Sequence, residues 1–479
     1  MIKMNAKKRI PIYRMLKEYE MKEPLPFHMP GHILGRGLHE ELKFAGSLDI
    51  TEIPGSDCLH EPVGVIKEAQ DYAASCFGAD YSLFLVNGST SGIHAMIQAA
   101  VKPGGKLILG RDSHISAINA LAQINAEPVF VFPEMDEKNQ IPLGVTAESL
   151  EKAIKENPDA QAILITRPGY YGTTTQLSKI SKLAKVYKMP LLVDEAHGAH
   201  FCFHEDFPKP AITLGADLCV QSLHKTLPAL TQTAILHGNS KGLIDKSIVK
   251  KTVSMVQTTS PSYLLMASID MARNIMENKG RELYEELKQN ISNFIIKLNK
   301  NTCIRRVAYE YSKFESDFSR LVLSFKSTGL SGFDAERILR VQFGIVAEMA
   351  DLNNIVLIAT PFHISEDFDK LLMALKNISE RFCACSAKAD LPRWPQNLPP
   401  RILPLRKALY EKTEGIPYKD AEGKVCGVCI TPYPPGIPLV TPGEIINREV
   451  IDYVDILIRE NFPVHGINNR KIKVLKAHN

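Results

Sequence analysis

Short apolar runs alternate with amphipathic segments from about residue 80 onward, and this alternation constrains the fold more than any other feature. The runs YSLFLV, KLILG, QAILIT and PLLVD are five or six residues long. The segments between them repeat apolar side chains at helical spacing, as Ile93, Met96, Ile97 and Ala100 do. Strands that are apolar throughout are buried on both faces. The pattern therefore predicts an α/β fold with a mostly parallel sheet sandwiched by helices.

Two changes in the sequence pattern further along the chain predict its division into domains. A long, charged helical stretch follows residue 265 and is typical of a connector between domains. Clustered prolines in LPRWPQNLPPRILPL mark a second boundary, because proline interrupts helices and removes a ladder donor. We predict an N-terminal arm (1–25), a large domain (26–290), a smaller α/β domain (291–390) and a C-terminal α+β domain (391–479).

Charge and composition exclude several classes of function. The 479 residues carry 57 Lys and Arg against 53 Asp and Glu, a formal charge of +4 that provides no basic stripe. We therefore expect neither a nucleic acid nor a membrane as partner. No signal peptide and no apolar run of membrane-spanning length is visible, and nine cysteines are an odd number. The sequence predicts a cytoplasmic protein with reduced thiols.

Four cysteines provide a possible metal site. Cys383 and Cys385 lie in RFCACS, and Cys426 and Cys429 form a C-x-x-C in KVCGVCI. Four thiolates bind zinc when they converge in space, but no histidine supports them and KVCGVCI is equally typical of a buried strand. We predict no metal, and a zinc-dependent interaction module stays open as an alternative.

The turn after YSLFLV is the first segment whose residues suggest a ligand-binding site. It reads NGSTSG and leads directly into a helix, so Ser89, Thr90 and Ser91 stand at a helix N-terminus. Hydroxyls, backbone N–H groups and the helix dipole together suit an anion, although a plain helix cap is the simpler alternative. The glycine and lysine patterns of nucleotide-binding loops are missing, so the anion is not expected to belong to a nucleotide.

Two further segments place an acid and an amine at the same edge of the predicted sheet. Asp194 ends the strand PLLVD, where open α/β sheets bind ligands. Lys225 lies in QSLHKTL with Ser222 and His224 beside it. The structural alternatives are a helix cap for Asp194 and a solvated loop for Lys225.

The three segments together match the requirements of pyridoxal 5'-phosphate (PLP). The hydroxyl-rich turn suits its phosphate, and the carboxylate of Asp194 suits its pyridine nitrogen. The amine of Lys225, 31 residues later (225 minus 194), suits a Schiff base with its aldehyde. We therefore predict PLP as cofactor.

Motifs spread over nearly the whole chain resemble those of the Orn/Lys/Arg decarboxylase family, in its short bacterial form. They are PFHMPGH, DITEIPGSDCLHEP, NGSTSG, GRDSHIS, VDEAHGAH, SLHKTLPALTQ, TTSPSY and TPYPPGIPLVTPGE. The resemblance implies a fold-type I, aspartate aminotransferase-like enzyme. Residues 26–290 would then form the PLP-binding domain, and residues 391–479 the C-terminal domain of the family.

Roles at the site follow from the same motifs by resemblance. Lys225 would form the Schiff base, Asp194 would bind the pyridine nitrogen and His114 would stack on the ring. His197 would orient the carboxylate or the ring. Thr90, Ser91 and Ser222 would bind the phosphate, with Ser89 adjacent. His224 would contact the phosphate or help to reprotonate the product carbon, and Thr259 would reach the phosphate of a neighbouring subunit.

A basic substrate would need a recess of acidic or electron-rich groups. DITEIPGSD supplies Glu52 and Asp57, which we nominate as substrate residues, and a solvated acidic loop is the alternative. Tyr433 and Glu444 in the late TPYPPGIPLVTPGE segment offer a second wall. Arg167 is the arginine nearest to the predicted site.

The resemblance implies decarboxylation of arginine, lysine or ornithine to the corresponding amine of polyamine metabolism. It also implies a homodimer, or an oligomer built from dimers, with active sites at the subunit interface. An aminotransferase or an aldolase-type lyase of the same fold is the alternative enzyme. A catalytically silent member that regulates an active decarboxylase is an alternative of another class, and the presence of Lys225 and Asp194 speaks against it.

Overall fold

The computed structural model describes residues 9–308, 314–383, 394–395, 397–433 and 436–476. Strands and helices are numbered in chain order. The strands are β1 Tyr81–Leu85, β2 Lys106–Gly110, β3 Glu127–Val131, β4 Glu134–Asp136, β5 Ile141–Gly144, β6 Ala162–Thr166, β7 Thr173–Thr175, β8 Leu191–Asp194, β9 Leu218–Ser222, β10 Ala234–Gly238, β11 Arg305–Arg306, β12 Phe314–Ser316, β13 Arg320–Ser324, β14 Met349–Ala350, β15 Asn354–Ile358, β16 Thr413–Pro417, β17 Thr431–Pro432, β18 Val464–His465, β19 Ile467–Asn468 and β20 Lys471–Leu475. The α-helices are α1 Pro11–Glu20, α2 Lys43–Gly46, α3 Val65–Phe77, α4 Gly88–Ala100, α5 Ile115–Gln123, α6 Ala147–Glu156, α7 Leu177–Val186, α8 Leu223–Thr226, α9 Lys246–Val256, α10 Tyr263–Asn301, α11 Gly332–Phe343, α12 Ser365–Phe382, α13 Leu405–Tyr410 and α14 Arg448–Arg459.

The described residues divide into two compact units. The first takes its residues from Met1–Ala100 and Ala184–Glu282, and the second from Val101–Leu183 and Leu283–Asn479. The two units are described separately below. The division into an arm and three domains, predicted from sequence, stays a prediction.

The first unit contains four strands in the order β1–β10–β9–β8. Strands β8 and β9 are parallel, whereas β10 is antiparallel to both of its neighbours, β9 and β1. Every residue of these four strands is buried. Burial on both faces explains why the strands are apolar almost throughout.

Helix α4 packs closely on the strands of the first unit. A Cβ atom on Gly92 would lie 2.5 Å from Cγ2 of Val220 and 2.7 Å from Cδ1 of Leu85. No side chain fits within such distances, so glycine at this position lets the helix approach the sheet. The N-terminus of α4, which begins at Gly88, is thereby held at the carboxyl end of β1.

A chain of buried polar side chains crosses the four strands of the first unit. Ser82 on β1 lies 2.7 Å from Nδ1 of His237 on β10, and Nε2 of His237 lies 3.1 Å from Oε1 of Gln221 on β9. Nε2 of Gln221 donates to Oε2 of Glu195, directly after β8, at 2.7 Å. The four residues, Ser82, His237, Gln221 and Glu195, are at most 3% exposed. We call them the polar ladder.

The donors of the polar ladder all point toward the carboxylate of Glu195. Because the Gln221 amide donates to Glu195, its oxygen accepts from Nε2–H of His237, and Nδ1 of His237 then accepts from the Ser82 hydroxyl. Oε1 of Glu195 also accepts from the backbone N–H of Ala211 at 2.9 Å. The ladder therefore fixes the residue next to Asp194 from several strands at once.

The second unit contains a parallel group of strands in the order β6–β2–β3. It also contains an antiparallel four-stranded sheet, β11–β13–β15–β14, and a three-stranded sheet, β16–β20–β19. Near the C-terminus, amphipathic α14 buries Val450, Val454 and Leu457 in a cluster with Val440 and Val474. Ile430 and Leu439 belong to the same buried cluster.

The predicted fold class is confirmed, since helices alternate with strands and each unit contains parallel strands, β8 with β9 in the first and β6, β2 and β3 in the second. The runs YSLFLV, KLILG, QAILIT and PLLVD correspond to β1, β2, β6 and β8. Among the described residues no helix combines the length and the apolar character that crossing a membrane requires.

The polar ladder predicts a specific acid sensitivity. Burial lowers the pKa of His237 to about 3. Below pH 6.5, the ordinary pKa of histidine, the ring of residue 237 is protonated in the unfolded chain but stays neutral in the folded chain. The folded protein therefore loses stability as the pH falls from about 6.5 toward 3. One such proton steepens the pH dependence of the free energy of unfolding by about 1.4 kcal/mol per pH unit.

We expect His237→Gln to flatten this dependence, measured by urea unfolding between pH 6.5 and 4. His363→Gln is the matched control, because His363 is exposed. Equal slopes for His237→Gln and the unaltered protein would contradict a neutral, buried His237.

Candidate active site

The acid and the amine predicted from sequence lie at the carboxyl ends of two neighbouring parallel strands. Asp194 is the last residue of β8, and Lys225 lies on the short helix α8 directly after β9. Parallel strands bring their carboxyl ends to one edge of a sheet, which is where open α/β folds bind ligands. The first unit thus brings both groups together, as the sequence predicts.

Asp194 is a buried carboxylate in an electrostatic environment that depends on Lys225. Its side chain is 6% exposed, and Oδ1 accepts from the backbone N–H of Ala196 at 3.1 Å. Burial raises the pKa of Asp194, while the positive charge of Lys225 and the Ala196 N–H act in the opposite direction. A carboxylate in this position is stabilised by any further cationic N–H group that reaches it.

The amine of Lys225 is oriented by a histidine from the loop that follows β8. Nζ of Lys225 lies 3.0 Å from Nε2 of His197. Since an amine or ammonium group is the donor here, Nε2 of His197 is the acceptor. His197 therefore contacts Lys225, and its predicted contact with the carboxylate or the ring stays a prediction.

His224, which precedes Lys225, is held in one tautomer. Its Nδ1 lies 3.0 Å from the carbonyl oxygen of Thr233, which only accepts hydrogen bonds, so Nδ1 carries a proton. Burial lowers the pKa of His224, the Thr233 carbonyl raises it, and the nearby Lys225 lowers it again, with a net decrease. A neutral His224 with an unprotonated Nε2 is a suitable base.

The hydroxyl-rich turn forms the predicted cup at the start of α4. Gly88 has φ of +73°, a backbone conformation that suits glycine, and the helix begins there. Ser222, at the end of β9, donates to Oγ of Ser89 at 2.8 Å, so hydroxyls from two strand ends meet. Thr90 is exposed, whereas the hydroxyl of Ser91 donates to the Gly88 carbonyl at 2.7 Å. An anion would therefore meet the backbone of Ser91 before its side chain.

These groups fit PLP in the chemistry of their donors and acceptors. The N–H groups of the first turn of α4 and the hydroxyls of Ser89 and Ser222 suit a phosphate. Lys225 supplies an amine for the aldehyde. The buried carboxylate of Asp194 suits a protonated pyridine nitrogen, because a buried charge requires an opposite charge.

Thr259 is exposed and lies beside the cup of its own chain. The backbone N–H of the neighbouring Thr258 donates to Oδ1 of Asn87 at 3.1 Å, and Asn87 immediately precedes Gly88. Its predicted contact with the phosphate of a neighbouring subunit stays a prediction.

Asp57, one of the two predicted substrate residues, accepts hydrogen bonds from five backbone N–H groups. Oδ1 accepts from Cys58 and Val63, both at 2.9 Å, and Oδ2 accepts from Gly64, Ile66 and Lys67 at 2.8 to 3.3 Å. Burial raises the pKa of Asp57, but these N–H groups together outweigh it and the pKa is lowered. The carboxylate caps helix α3, which favours a structural role.

Glu52, the other predicted substrate residue, is half-buried in the same loop. Its Oε2 accepts from the hydroxyl of Thr51 at 3.1 Å. The loop is anchored by Tyr263, whose hydroxyl donates to the Asp57 carbonyl at 2.6 Å and lies 3.1 Å from Oγ of Ser56. Glu52 therefore lies on an anchored loop, and its role as a substrate residue stays a prediction.

His114 belongs to the second unit, where it caps helix α5. Its Nδ1 accepts from the backbone N–H of Ser116 at 3.2 Å. This hydrogen bond gives His114 a structural role at the start of the helix, and its stacking on the ring of PLP stays a prediction. Arg167, also in the second unit, is fully buried and lies 3.5 Å from Glu315.

The suggestion that Glu444 offers a carboxylate to the substrate is wrong. Its two oxygens accept from Nη1 and Nη2 of Arg111, both at 2.9 Å, and its side chain is 2% exposed. Arg401 lies 3.5 Å away and adds a second guanidinium. Sequence reasoning missed this ion pair because Arg111 and Glu444 are 333 residues apart.

The cysteines do not converge in the part of the chain that the structure describes. There, no group of three or more His, Cys, Asp and Glu side chains is arranged to hold a metal ion. Cys426 forms an isolated bridge with Val474, so KVCGVCI is not a regular strand, and its thiol donates to the Val428 carbonyl at 2.9 Å. Cys385 lies outside the described residues.

Sequence reasoning also missed Glu195 and Gln221 of the polar ladder. Glu195 stands next to Asp194 and is fully buried. The sequence does contain one indication of Glu195: a second acid follows the apolar strand directly, and histidines and a glycine come after it in DEAHGAH. Buried acids require partners, but the sequence does not indicate that Gln221 is the partner.

Comparison with known proteins identifies a family. Residues 10–313 match the model of the family described as Orn/Lys/Arg decarboxylase, major domain. Residues 404–470 match the model described as Orn/Lys/Arg decarboxylase, C-terminal domain.

Individual relatives cover nearly the whole chain. An arginine decarboxylase of Bacillus subtilis is 38% identical over 98% of this chain and 97% of its own length. An arginine decarboxylase of Bacillus anthracis is 35% identical over the same shares of the two chains. Among solved structures, the lysine decarboxylase of Francisella novicida has a TM-score of 0.85, covering 98% of this chain and 81% of its own, at 17% identity. This last likeness concerns the fold and agrees with the predicted fold class.

The geometry of the acidic loop predicts that its two acids contribute differently to the stability of the protein. Asp57→Ala removes the acceptor for five N–H groups and should lower the free energy of unfolding by about 1 to 2 kcal/mol. Glu52→Ala is the control in the same loop and should change it by less than about 0.5 kcal/mol. Urea unfolding measures both, and equal losses would contradict the capping role of Asp57.

Proposed function

Because the chain belongs to the Orn/Lys/Arg decarboxylase family, we propose that it decarboxylates arginine to agmatine. The family makes the chain a PLP-dependent decarboxylase of a basic amino acid. The choice of arginine is supported by the relatives from Bacillus, which are named arginine decarboxylases and match almost the full chain. The predicted aminotransferase or aldolase alternative has no observation in its favour.

The observation that carries the site assignment is the buried carboxylate of Asp194 at the end of β8, on which the positive charge of Lys225, after β9, acts. We propose that Lys225 bonds to the aldehyde of PLP and that Asp194 holds the pyridine nitrogen in its protonated form. Ser89, Thr90 and Ser222 are proposed to bind the phosphate with the backbone of Ser91. Their support is the cup at the N-terminus of α4, where Ser89 and Ser222 meet.

When bound, PLP withdraws electrons from the Cα atom of the amino acid, which makes loss of CO₂ possible. The residues of the chain stabilise the charge on the ring, orient the lysine and transfer protons. Asp194 keeps the positive charge on the ring nitrogen through a charge-assisted hydrogen bond. His197 orients Lys225, whose ammonium form can return a proton to the product carbon. Neutral His224 can do the same only after its Nε2 has taken up a proton, since its Nδ1–H is held by the Thr233 carbonyl.

We propose that Glu52 binds the guanidinium group of arginine. Planar guanidinium and carboxylate groups form paired hydrogen bonds, which an ammonium group does not reproduce. Glu52 is half-buried on a loop that Tyr263 anchors, and Asp57 of the same loop is occupied by capping. These facts favour Glu52 over Asp57.

A homodimer is proposed on the basis of exposed apolar side chains in the first unit. Phe27, Phe44 and Val63 are 96%, 79% and 91% exposed. All three lie in the segment that precedes α3, and large exposed apolar side chains in one segment favour a surface that another protein covers. We also propose a cytoplasmic location, supported by the free thiols of the described cysteines.

The substrate proposal predicts a ranking of three amino acids. CO₂ release should give a kcat/KM for arginine at least about tenfold above those for lysine and ornithine, since paired hydrogen bonds to Glu52 are worth about 1.4 kcal/mol or more. Glu52→Gln should reduce the preference, because it removes the charge of the partner. Glu61→Gln, the same change at an exposed acid nearby in the sequence, is the matched control.

A higher kcat/KM for lysine or ornithine would contradict arginine as substrate. An unchanged preference in Glu52→Gln would contradict Glu52 as the guanidinium partner. Loss of all turnover in Lys225→Ala and in Asp194→Asn is expected in either case, because both residues hold the cofactor.

The dimer proposal predicts dissociation when charge is placed on the exposed apolar surface. Phe27→Asp combined with Phe44→Asp should convert the dimer into a monomer, measured by light scattering after gel filtration. Phe362→Asp, at a residue 52% exposed in the second unit, is the control and should leave the dimer intact. A monomeric unaltered protein would contradict the proposal.

A further inference from the structure

We infer that residues 436–444 of the C-terminal domain are a clamp that holds the loop of His114 at two points and thereby positions its imidazole ring. The loop, residues 110–116, joins β2 to helix α5. The inference rests on the proposed function only for the role of His114 at the cofactor. Within the second unit the clamp itself rests on contacts of the described residues.

The first hold is at Gly436, beside His114. The carbonyl oxygen of Gly436 accepts from the backbone N–H of Ile115 at 3.0 Å. Ile115 is the first residue of α5, and its N–H has no acceptor within the helix. The C-terminal segment therefore supplies a cap to α5 that the loop itself does not provide.

Gly436 also forms the wall against which the ring of His114 lies. A Cβ atom at this position would lie 2.9 Å from Nε2 and 3.0 Å from Cδ2 of His114, and 3.1 Å from the ring of Tyr433. The backbone at Gly436 has φ of +84°, which suits glycine as well. The contact is thus specific to glycine for two independent reasons.

The opposite edge of the ring is fixed by α5. Nδ1 of His114 accepts from the backbone N–H of Ser116 at 3.2 Å and lies 2.9 Å from its hydroxyl oxygen. A backbone N–H only donates, so the proton of the neutral ring resides on Nε2, the nitrogen that faces Gly436. The clamp and the helix cap together determine both the position and the tautomer of the ring.

The second hold is the buried ion pair of Arg111 and Glu444. Arg111 donates two parallel hydrogen bonds to Glu444, both at 2.9 Å, and a third to the carbonyl oxygen of Leu439 at 2.8 Å. The two side chains are 5% and 2% exposed. Paired bonds of this kind fix direction as well as distance. Arg111 is three residues before His114, so both holds act on one loop.

Glu444 is itself held in place. Its Oε2 accepts from the backbone N–H of Thr441 at 2.8 Å, and Arg401 lies 3.5 Å from Oε1. Arg401 also donates to the Pro442 carbonyl at 2.6 Å. The segment from Gly436 to Glu444 therefore acts as one braced piece, and a histidine positioned by it is fixed before any ligand arrives.

The experiment compares two glycine substitutions in the full-length chain. Gly436→Ala places a methyl group against His114, whereas Gly423→Ala is the matched control: Gly423 has φ of +73° and its added Cβ meets nothing within 4 Å. Histidine labelled with ¹⁵N reports the tautomer and environment of His114 in cofactor-free protein, with His114→Gln identifying the signal. We expect Gly436→Ala to move that signal and Gly423→Ala to leave it in place.

The affinity for PLP is the second measurement, made by titration of the cofactor-free variants. Gly436→Ala should weaken binding by about tenfold to a hundredfold, since small displacements of a positioning shell have effects of this size. In a His114→Ala background, Gly436→Ala should have almost no further effect, because the methyl group no longer meets a ring. Urea unfolding of both glycine variants controls for general destabilisation.

The outcomes separate the clamp from the proposed function. An unmoved His114 signal in Gly436→Ala would overturn the clamp. Full additivity of Gly436→Ala and His114→Ala in PLP affinity would overturn positioning through His114. A moved signal with unchanged affinity would sustain the clamp and overturn the proposed role of His114 at the cofactor. Failure of all variants and of the unaltered chain to bind PLP would count against the proposed function alone.

Discussion

The site depends on one electrostatic constraint, the buried carboxylate of Asp194 on which the positive charge of Lys225 acts. A carboxylate that is 6% exposed is costly unless opposite charge is near, and burial already raises its pKa. Lys225 offsets part of that cost, and a protonated ring nitrogen would offset more. Desolvation of the Asp194 carboxylate destabilises the folded protein, and it also strengthens the attraction between that carboxylate and a cation. The loss of stability and the affinity for a cationic group therefore have the same cause.

Support for this constraint comes from the strands behind it. The polar ladder ends at Glu195, the residue after Asp194, so the carboxyl end of β8 is fixed by hydrogen bonds that begin on β1. Ser222, which follows Gln221 of the ladder on β9, reaches Ser89 in the cup. Cup, carboxylate and lysine therefore share one rigid base. Such sharing is what a cofactor with three separate attachment points requires.

The sequence predicts those parts of the site that are encoded locally. Strand β8 and its terminal Asp194, the hydroxyl-rich turn and Lys225 are recognisable because apolar runs end in polar residues there. It does not predict pairings between distant segments. Asp57 has the appearance of a substrate acid and caps α3, and Glu444 has the same appearance and pairs with Arg111, because only the folded chain brings their partners close. A sequence shows that a side chain is acidic, but it does not show whether the carboxylate already accepts hydrogen bonds from other parts of the chain.

Chemical trapping tests the central claim most directly. The purified enzyme would be reduced with borohydride, digested and mapped by mass spectrometry. We expect one pyridoxyl group per chain, attached to the peptide that contains Lys225. A pyridoxyl group on a different lysine, or none on an enzyme that still releases CO₂, would contradict it.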